Sequence, residues 1–212
     1  MKILIISGSA RSGGGYSYNI SKKLKETLLQ VCPNTQVDIF NIASQNIAPC
    51  LGCVQCCNQS DKYCVLKDDI YKAYKLMEEC DNIVFVSPIY ECFISGILKN
   101  FFDRTNHYTS FFKLAGKPMN LILSGVQPLY GKTKEFSNKH VVKNINQYFK
   151  NSSIITHTCY NFLGFIHHLD HHTTLLESTP VLDKLFAKMA KTLLNQKLNV
   201  KLKSKSKTPY SV

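Results

Sequence analysis

A chain of 212 residues has room for one full-sized core, and 44% hydrophobic with 19% charged residues excludes a disordered chain. The net charge of +12 would suit nucleic acid, but eight of the lysines follow Asp183 with no acid among them, and Arg11 and Arg104 are the only arginines, so nucleic-acid binding is disfavoured. No apolar run approaches the roughly 20 residues that cross a bilayer, and nine cysteines without an export signal indicate a reducing compartment, by default the cytosol.

Ile3–Ile6 is an unbroken β-branched and leucine run ending in Ser7-Gly8-Ser9, which predicts a strand buried on both faces; the opening MKILIISGSA is too short for a signal peptide. A glycine-rich turn from Ala10 to Gly15 leads to a helix with Ile20, Leu24, Leu28 and Val31 on one face, stopped at Pro33. Val37–Ile42 predicts a second strand and Asp68–Cys80 a helix carrying Ile70, Ala73 and Met77 on its inner side. Asn82–Pro88 is a third buried strand, Ser95–Tyr108 a helix with Ile97, Leu98, Phe101 and Phe102 turned inward, and Met119–Leu123 a fourth strand. Lys134–Phe149 predicts a helix, Ile154–Phe162 a fifth strand, and Val181–Leu198 a closing helix whose lysines face water. The alternation implies a three-layer α/β fold with a parallel sheet covered on both faces. Residues 1–198 form one domain in this reading, and 199–212 a basic, mobile tail.

In such sheets ligands bind at the carboxyl ends of the strands, where the strand order reverses. The first strand delivers Ser9, Arg11, three glycines and Ser17 to that edge: hydroxyl donors, a cation, inward-turning N–H groups and the positive end of a helix, which together suit a phosphate. There is no Walker lysine and no dinucleotide fingerprint with its acid on strand two, so a mononucleotide fits better than ATP or NAD; a plain strand-to-helix turn is the blander alternative. After the third strand, Pro88-Ile89-Tyr90-Glu91-Cys92-Phe93 is aromatic and apolar where a loop should be polar, as under a flat ring; the alternative is core or interface packing.

These segments match a known pattern. GSARSGGGYS resembles the GSPR-x-x-GNT phosphate loop of the NADPH-dependent FMN reductase family, and SPIYECFISGILKNFFDRT resembles its SP-x-Y-x-x-x-x-S-x-x-LK-x-F-x-DR-T segment. CLGCVQCCNQSDKYCVLKDD resembles the cysteine segment of the iron-sulfur flavoprotein branch. The resemblance covers about the first 125 residues. It implies a flavodoxin-like five-stranded sheet of order 2-1-3-4-5, bound FMN, reduction by NAD(P)H or a protein donor, and dimers or tetramers. Carried over by position, it implies that Ser9, Arg11, Gly15, Tyr16 and Ser17 hold the FMN phosphate. Pro88, Ile89, Tyr90, Glu91, Cys92 and Phe93 would flank the ring, and Ser124 with Gly125 would close the site. Ala10 stands where the family has proline, Tyr16 where it has asparagine, and the loop is one residue longer.

Cys50, Cys53, Cys56 and Cys64 occur as C-x2-C-x2-C-x7-C, with Cys57 beside the third. Two-residue gaps let thiolates converge on a 4Fe-4S cluster; free thiols and, less naturally, zinc are the alternatives. Ile47-Ala48-Pro49 would bring this segment near the flavin edge. Cys32, Cys80, Cys92 and Cys159 read as small buried hydrophobes. His167, His168, His171 and His172 read as a solvent-facing cluster rather than a metal site. Phe162 and Phe165 are candidates to reach a neighbouring subunit's flavin, and Phe111 and Phe112 to form an oligomer surface.

The functional expectation is an FMN-dependent oxidoreductase passing electrons from NAD(P)H or a protein donor to a flavin, quinone, nitro or azo compound, or another acceptor. The flavin carries the chemistry, so no catalytic side-chain dyad is required. A non-enzymatic FMN and iron-sulfur electron carrier is the main alternative, and an apo scaffold the third. Neither a nucleic acid nor a membrane is an expected partner.

Overall fold

The structure is a computed structural model that describes residues 1–13, 15–58, 63–91, 93–111, 114–125, 141, 143–145, 147, 155–163 and 180–196. The strands are β1 (Lys2–Ser7), β2 (Gln36–Asn41), β3 (Asn82–Tyr90), β4 (Phe93–Ile94), β5 (Pro118–Gly125) and β6 (Ile155–Leu163). The helices are α1 (Tyr16–Val31), α2 (Gln55–Asn58), α3 (Ile70–Glu79), α4 (Gly96–Arg104), α5 (Asn106–Phe111) and α6 (Pro180–Asn195), with a 3-10 turn at Ile42–Ser44. Strands β2-β1-β3-β5-β6 pair in parallel in that order, and β4 pairs antiparallel with the end of β3. The five parallel strands have the expected flavodoxin-like order, with its reversal between β1 and β3.

Successive strand residues point to opposite faces, so one apolar run serves two cores. Leu4, Ile6, Ile83, Phe85, Met119, Leu121 and Leu123 pack with α3 and α4 on one face. Ile3, Ile5, Val84, Val86 and Ile122 pack with Ile20, Leu24 and Leu28 of α1 and with Phe186, Met189, Ala190 and Leu193 of α6 on the other. Lys184, Lys188 and Lys191 of α6 face solvent, as expected.

Several expectations are corrected. The helix expected from Ser95 to Tyr108 is two helices broken at Thr105, whose hydroxyl turns back to the Phe102 carbonyl (2.8 Å). Strand β3 runs on to Tyr90 and folds into a hairpin because Ile89 pairs with Ile94 and Tyr90 with Phe93. Val31 is 41% exposed at the last residue of α1. Cys32, at the C-cap of that helix, is half-buried rather than core. Of Lys134–Phe149 only residues 141, 143–145 and 147 are described; they are helical, with Val141 and Ile145 buried. The histidine cluster, Cys92, Phe112, Phe165 and the basic stretch 199–212 lie outside the described residues. Among the described residues no helix is long and apolar enough to cross a membrane.

Two buried polar devices fix the helices on the sheet. Asn82 on β3, Asn120 on β5 and Gln196 after α6 bond to one another at 2.8–3.0 Å, and Asn82 also donates to the Leu193 carbonyl (3.3 Å). Lys117, leading into β5, donates to the carbonyls of Met77 (2.5 Å), Glu78 (3.0 Å) and Cys80 (2.6 Å), capping the negative end of α3. Lys117→Met keeps the apolar stem but leaves those carbonyls without their cation. It should destabilise the fold by about 1–3 kcal/mol, read as a lower urea midpoint at unchanged slope.

Candidate functional site

The loop leaving β1, the hairpin at the end of β3 and the carboxyl end of β5 meet at one edge of the sheet. The Gly8 N–H donates to the Val86 carbonyl (2.7 Å), and the Ser95 hydroxyl donates to the Gly8 carbonyl (2.7 Å) while capping α4 by accepting the Leu98 N–H (3.3 Å). A Cβ on Gly8 would lie 2.9 Å from Leu98 Cβ, so only glycine lets α4 approach this closely. The Ser87 hydroxyl accepts the Ser95 N–H (3.1 Å) and donates to the Pro88 carbonyl (2.8 Å), closing the β3–β4 hairpin onto the same point. Across the edge, Ser17 and Ser124 share a hydroxyl bond of 2.8 Å, tying the first turn of α1 to the end of β5. Pro88 and Ser124 are register partners.

Of the residues expected at this edge, all but Cys92 are described. Ser9 is buried and its hydroxyl exchanges bonds with the Arg11 backbone (3.3 Å each way), so it shapes the loop. Gly15 passes so close that a Cβ would fall 2.2 Å from Ser9 Oγ. Arg11 is exposed, Tyr16 half-buried and Ser17 buried. In the hairpin Pro88, Ile89 and Phe93 are half-buried, Tyr90 is 55% exposed, and Glu91 turns the chain with φ 45. Gly125 ends β5.

This donor set fits a phosphate on its own terms. Gly15 as N-cap offers no side-chain acceptor to α1, and the first turn carries no acid, so the turn's N–H groups and positive dipole end face the loop without an internal anion. In the hairpin beside it Ile89 and Phe93 pack against the core, and Tyr90 is the aromatic side chain left exposed. Asn41, at the carboxyl end of β2, donates to the Ser12 carbonyl (2.7 Å) and to Ser44 Oγ (3.1 Å), anchoring the loop's far side. Sequence reasoning missed Asn41 and Ser95. The available signal was a polar residue ending an apolar strand, and a serine three residues before a leucine at a helix start.

The cysteines form a second feature. Cys50, Cys53, Cys56 and Cys64 line one cavity of about 50 Å³, together with Leu51, Val54, Val65, Leu66 and Arg104. The turn between them passes through left-handed conformations at Gly52 (φ 64) and Val54 (φ 52), the latter strained for a β-branched residue. Sulfur acceptors are met by N–H donors: Gly52 to Cys50 (3.4 Å), Asn106 to Cys57 (3.1 Å) and Arg104 Nε to Cys64 (3.2 Å). Burial, then the neighbouring Cys57, Cys64 and Cys50, pushes the Cys56 thiol up to about 12. Among the described residues no three His, Cys, Asp or Glu groups converge on a single metal ion.

Helix α4 connects the two features. Its N-cap Ser95 touches Gly8, where the glycine-rich loop begins, Asn100 accepts the Cys50 N–H (3.2 Å), and Arg104 at its last turn touches Cys64. At about 1.5 Å per residue, the five residues from Ser95 to Asn100 place the start of the cysteine segment roughly 8 Å along the helix from the sheet edge.

Residues 1–152 match the NADPH-dependent FMN reductase family. An iron-sulfur flavoprotein of Methanocaldococcus jannaschii is 30% identical over 118 residues, 55% of this chain and 58% of that protein. An iron-sulfur flavoprotein of Methanosarcina thermophila is 33% identical over 107 residues, 50% and 52% of the two chains. This chain therefore spans about half the length of the curated relatives it matches. The NAD(P)H:quinone oxidoreductase of Methanothermobacter marburgensis superposes with a TM-score of 0.63 at 11% identity, covering 91% of this chain and 96% of that one, a likeness of fold. With the match extending over most of its length, and with the sheet order and loop geometry in accord, the chain belongs to the NADPH-dependent FMN reductase family.

Proposed function

We propose that this protein binds FMN at the carboxyl edge of its sheet and moves electrons from NAD(P)H or a protein donor to a flavin, quinone, nitro or azo compound, or another acceptor. The observation that carries this reading is the convergence of an uncapped helix start, the Ser9–Ser17 loop and the Pro88–Phe93 hairpin at the strand-order reversal. When bound, FMN supplies the two-electron chemistry. The chain's own residues position it. The α1 N–H groups and Arg11 attract the phosphate, and Ser17, held by Ser124, fixes the helix start against it. When FMN is bound, Tyr90, with Ile89 and Phe93 beside it, would flank the ring. Assembly as a dimer or tetramer belongs to the same reading.

A specific observation supports a second reading, in which the chain also carries an iron-sulfur cluster and relays electrons singly between proteins. Four cysteines line one cavity, and its N–H donors suit thiolates. Cys50, Cys53, Cys56 and Cys64 would hold the cluster, and their nearness to the sheet edge along α4 would keep transfer short.

FMN titration of the purified chain should give saturable quenching of flavin fluorescence. Arg11→Gln should weaken FMN about tenfold, the loss of one charge-assisted contact, and leave riboflavin, which lacks the phosphate, unchanged. Equal loss for both ligands would remove Arg11 from the phosphate site.

Steady NADPH oxidation by the FMN-loaded chain with benzoquinone as acceptor is the outcome expected of a reductase. Reduction by dithionite without any pyridine-nucleotide turnover would favour the carrier.

Because the Cys56 thiol holds its proton to about pH 12, it is neutral and unreactive at pH 8. In the metal-free chain, iodoacetamide at pH 8 should label Cys56 far more slowly than in the same chain unfolded in urea. Peptide mass mapping reads the difference, and the folded-state rate should climb as pH approaches 12.

A further inference from the structure

Arg104 has every N–H of its guanidinium engaged in the protein interior. Nη1 donates to the Ala48 carbonyl (2.6 Å) and Asp68 Oδ2 (2.8 Å), Nη2 to the Leu66 carbonyl (3.0 Å) and Asp68 Oδ1 (3.1 Å), and Nε to Cys64 Sγ (3.2 Å). Its side chain has no exposed surface. Burial of such a cation is costly unless it is paired and all its donors are met, and here both conditions hold.

The partners are arranged with respect to the chain. Ala48 stands two residues before Cys50 and Leu66 two residues after Cys64, so one guanidinium grips both ends of the cysteine segment. Asp68 completes the neck by accepting the Ala48 N–H (3.0 Å), and Asn100, one turn earlier on α4, accepts the Cys50 N–H. Burial alone would raise the Asp68 carboxyl, but the Arg104 and backbone N–H bonds hold it below the usual carboxylate range, so the pair stays charged. Tyr74 fixes the helix end by donating to the Arg104 carbonyl (2.5 Å).

We propose that Arg104 is the positioning residue of the cysteine cavity: it closes the neck of the 48–66 segment and directs a cationic N–H at the Cys64 sulfur, setting the reduction potential of whatever cluster that sulfur ligates. This rests on the cluster-bearing reading above. The physical ground is that reduction adds negative charge to a cluster and its thiolates, and an N–H donor carrying positive charge stabilises the reduced form more than the oxidised form. Losing the donor lowers the potential.

The test uses the full chain reconstituted anaerobically with ferrous iron and sulfide, then poised with dithionite in a dye-coupled titration; dithionite is oxidised to sulfite and the cluster accepts one electron. Arg104→Gln should shift the reduced-to-oxidised ratio at fixed poise at least tenfold towards oxidised, a fall of 59 mV or more for a one-electron couple. Arg104→Lys keeps the cation without the planar fork and should fall between Gln and the native chain; it carries the test alone if Arg104→Gln does not fold. Loss of iron from both variants at native far-UV dichroism and native FMN affinity also supports the clamp, since the open neck then fails to hold the segment. Native potentials in both variants with iron retained overturn the proposal and leave the cluster reading standing. A native chain that takes up no iron or sulfide overturns both, whatever its FMN affinity.

Discussion

Gly8 sits where the end of β1 meets the start of α4, and the absence of a side chain there sets the distance between the two. Leu98 and Ser95 press against its backbone, and Ser95 then serves two masters, capping α4 and holding the Gly8 carbonyl. Because α4 starts at a defined point on the sheet edge, its later residues fall at defined points too. Asn100 reaches the entrance of the cysteine segment and Arg104 its neck. One close backbone contact thereby orients the two candidate sites.

The edge of the sheet is assembled from pieces that are individually ordinary. A parallel strand ends, a helix begins without a cap, and a two-strand hairpin turns over an apolar strip. Their juxtaposition follows from the reversal of strand order between β1 and β3, which sends consecutive crossovers to opposite sides and leaves a crevice. Small hydroxyl residues then stitch the crevice walls: Ser17 to Ser124, Ser95 to Gly8, Ser87 to Ser95. Serines suit this because each supplies a donor and acceptors with little bulk.

The cysteine segment is held differently. Its turn includes a strained valine, and four of its cysteines line a small cavity. Its local bonds are few: the Gly52 N–H to Cys50 Sγ and the Cys57 N–H to the Val54 carbonyl. It is also held by an ion pair between the buried Arg104 and the half-buried Asp68, 36 residues apart in sequence, with both partners also bonded to the segment's backbone.

Much of this was legible in the residues. Buried runs such as Ile3–Ile6 and Ile83–Val86 identify strands because a strand buried on both faces is apolar at successive positions, and the helices show their inner faces at 3.6-residue spacing. The glycine-rich loop after β1, the apolar run Pro88–Phe93 and the cysteine motif were visible too, since each is contiguous, although the pairing that makes a hairpin of the second was not. What the sequence could not show was coupling at a distance. Thr105 breaks the helix expected to run from Ser95 to Tyr108 through a bond no periodicity reports. Asn41 and Ser12 are 29 residues apart, Arg104 and Ala48 56, and Ser17 and Ser124 107. Local pattern determines which segments are buried and which carry ligand chemistry, because burial and turn formation depend on near neighbours. Which side chains share a hydrogen bond across the fold is decided only when the sheet's crossovers bring them within about 3 Å of each other.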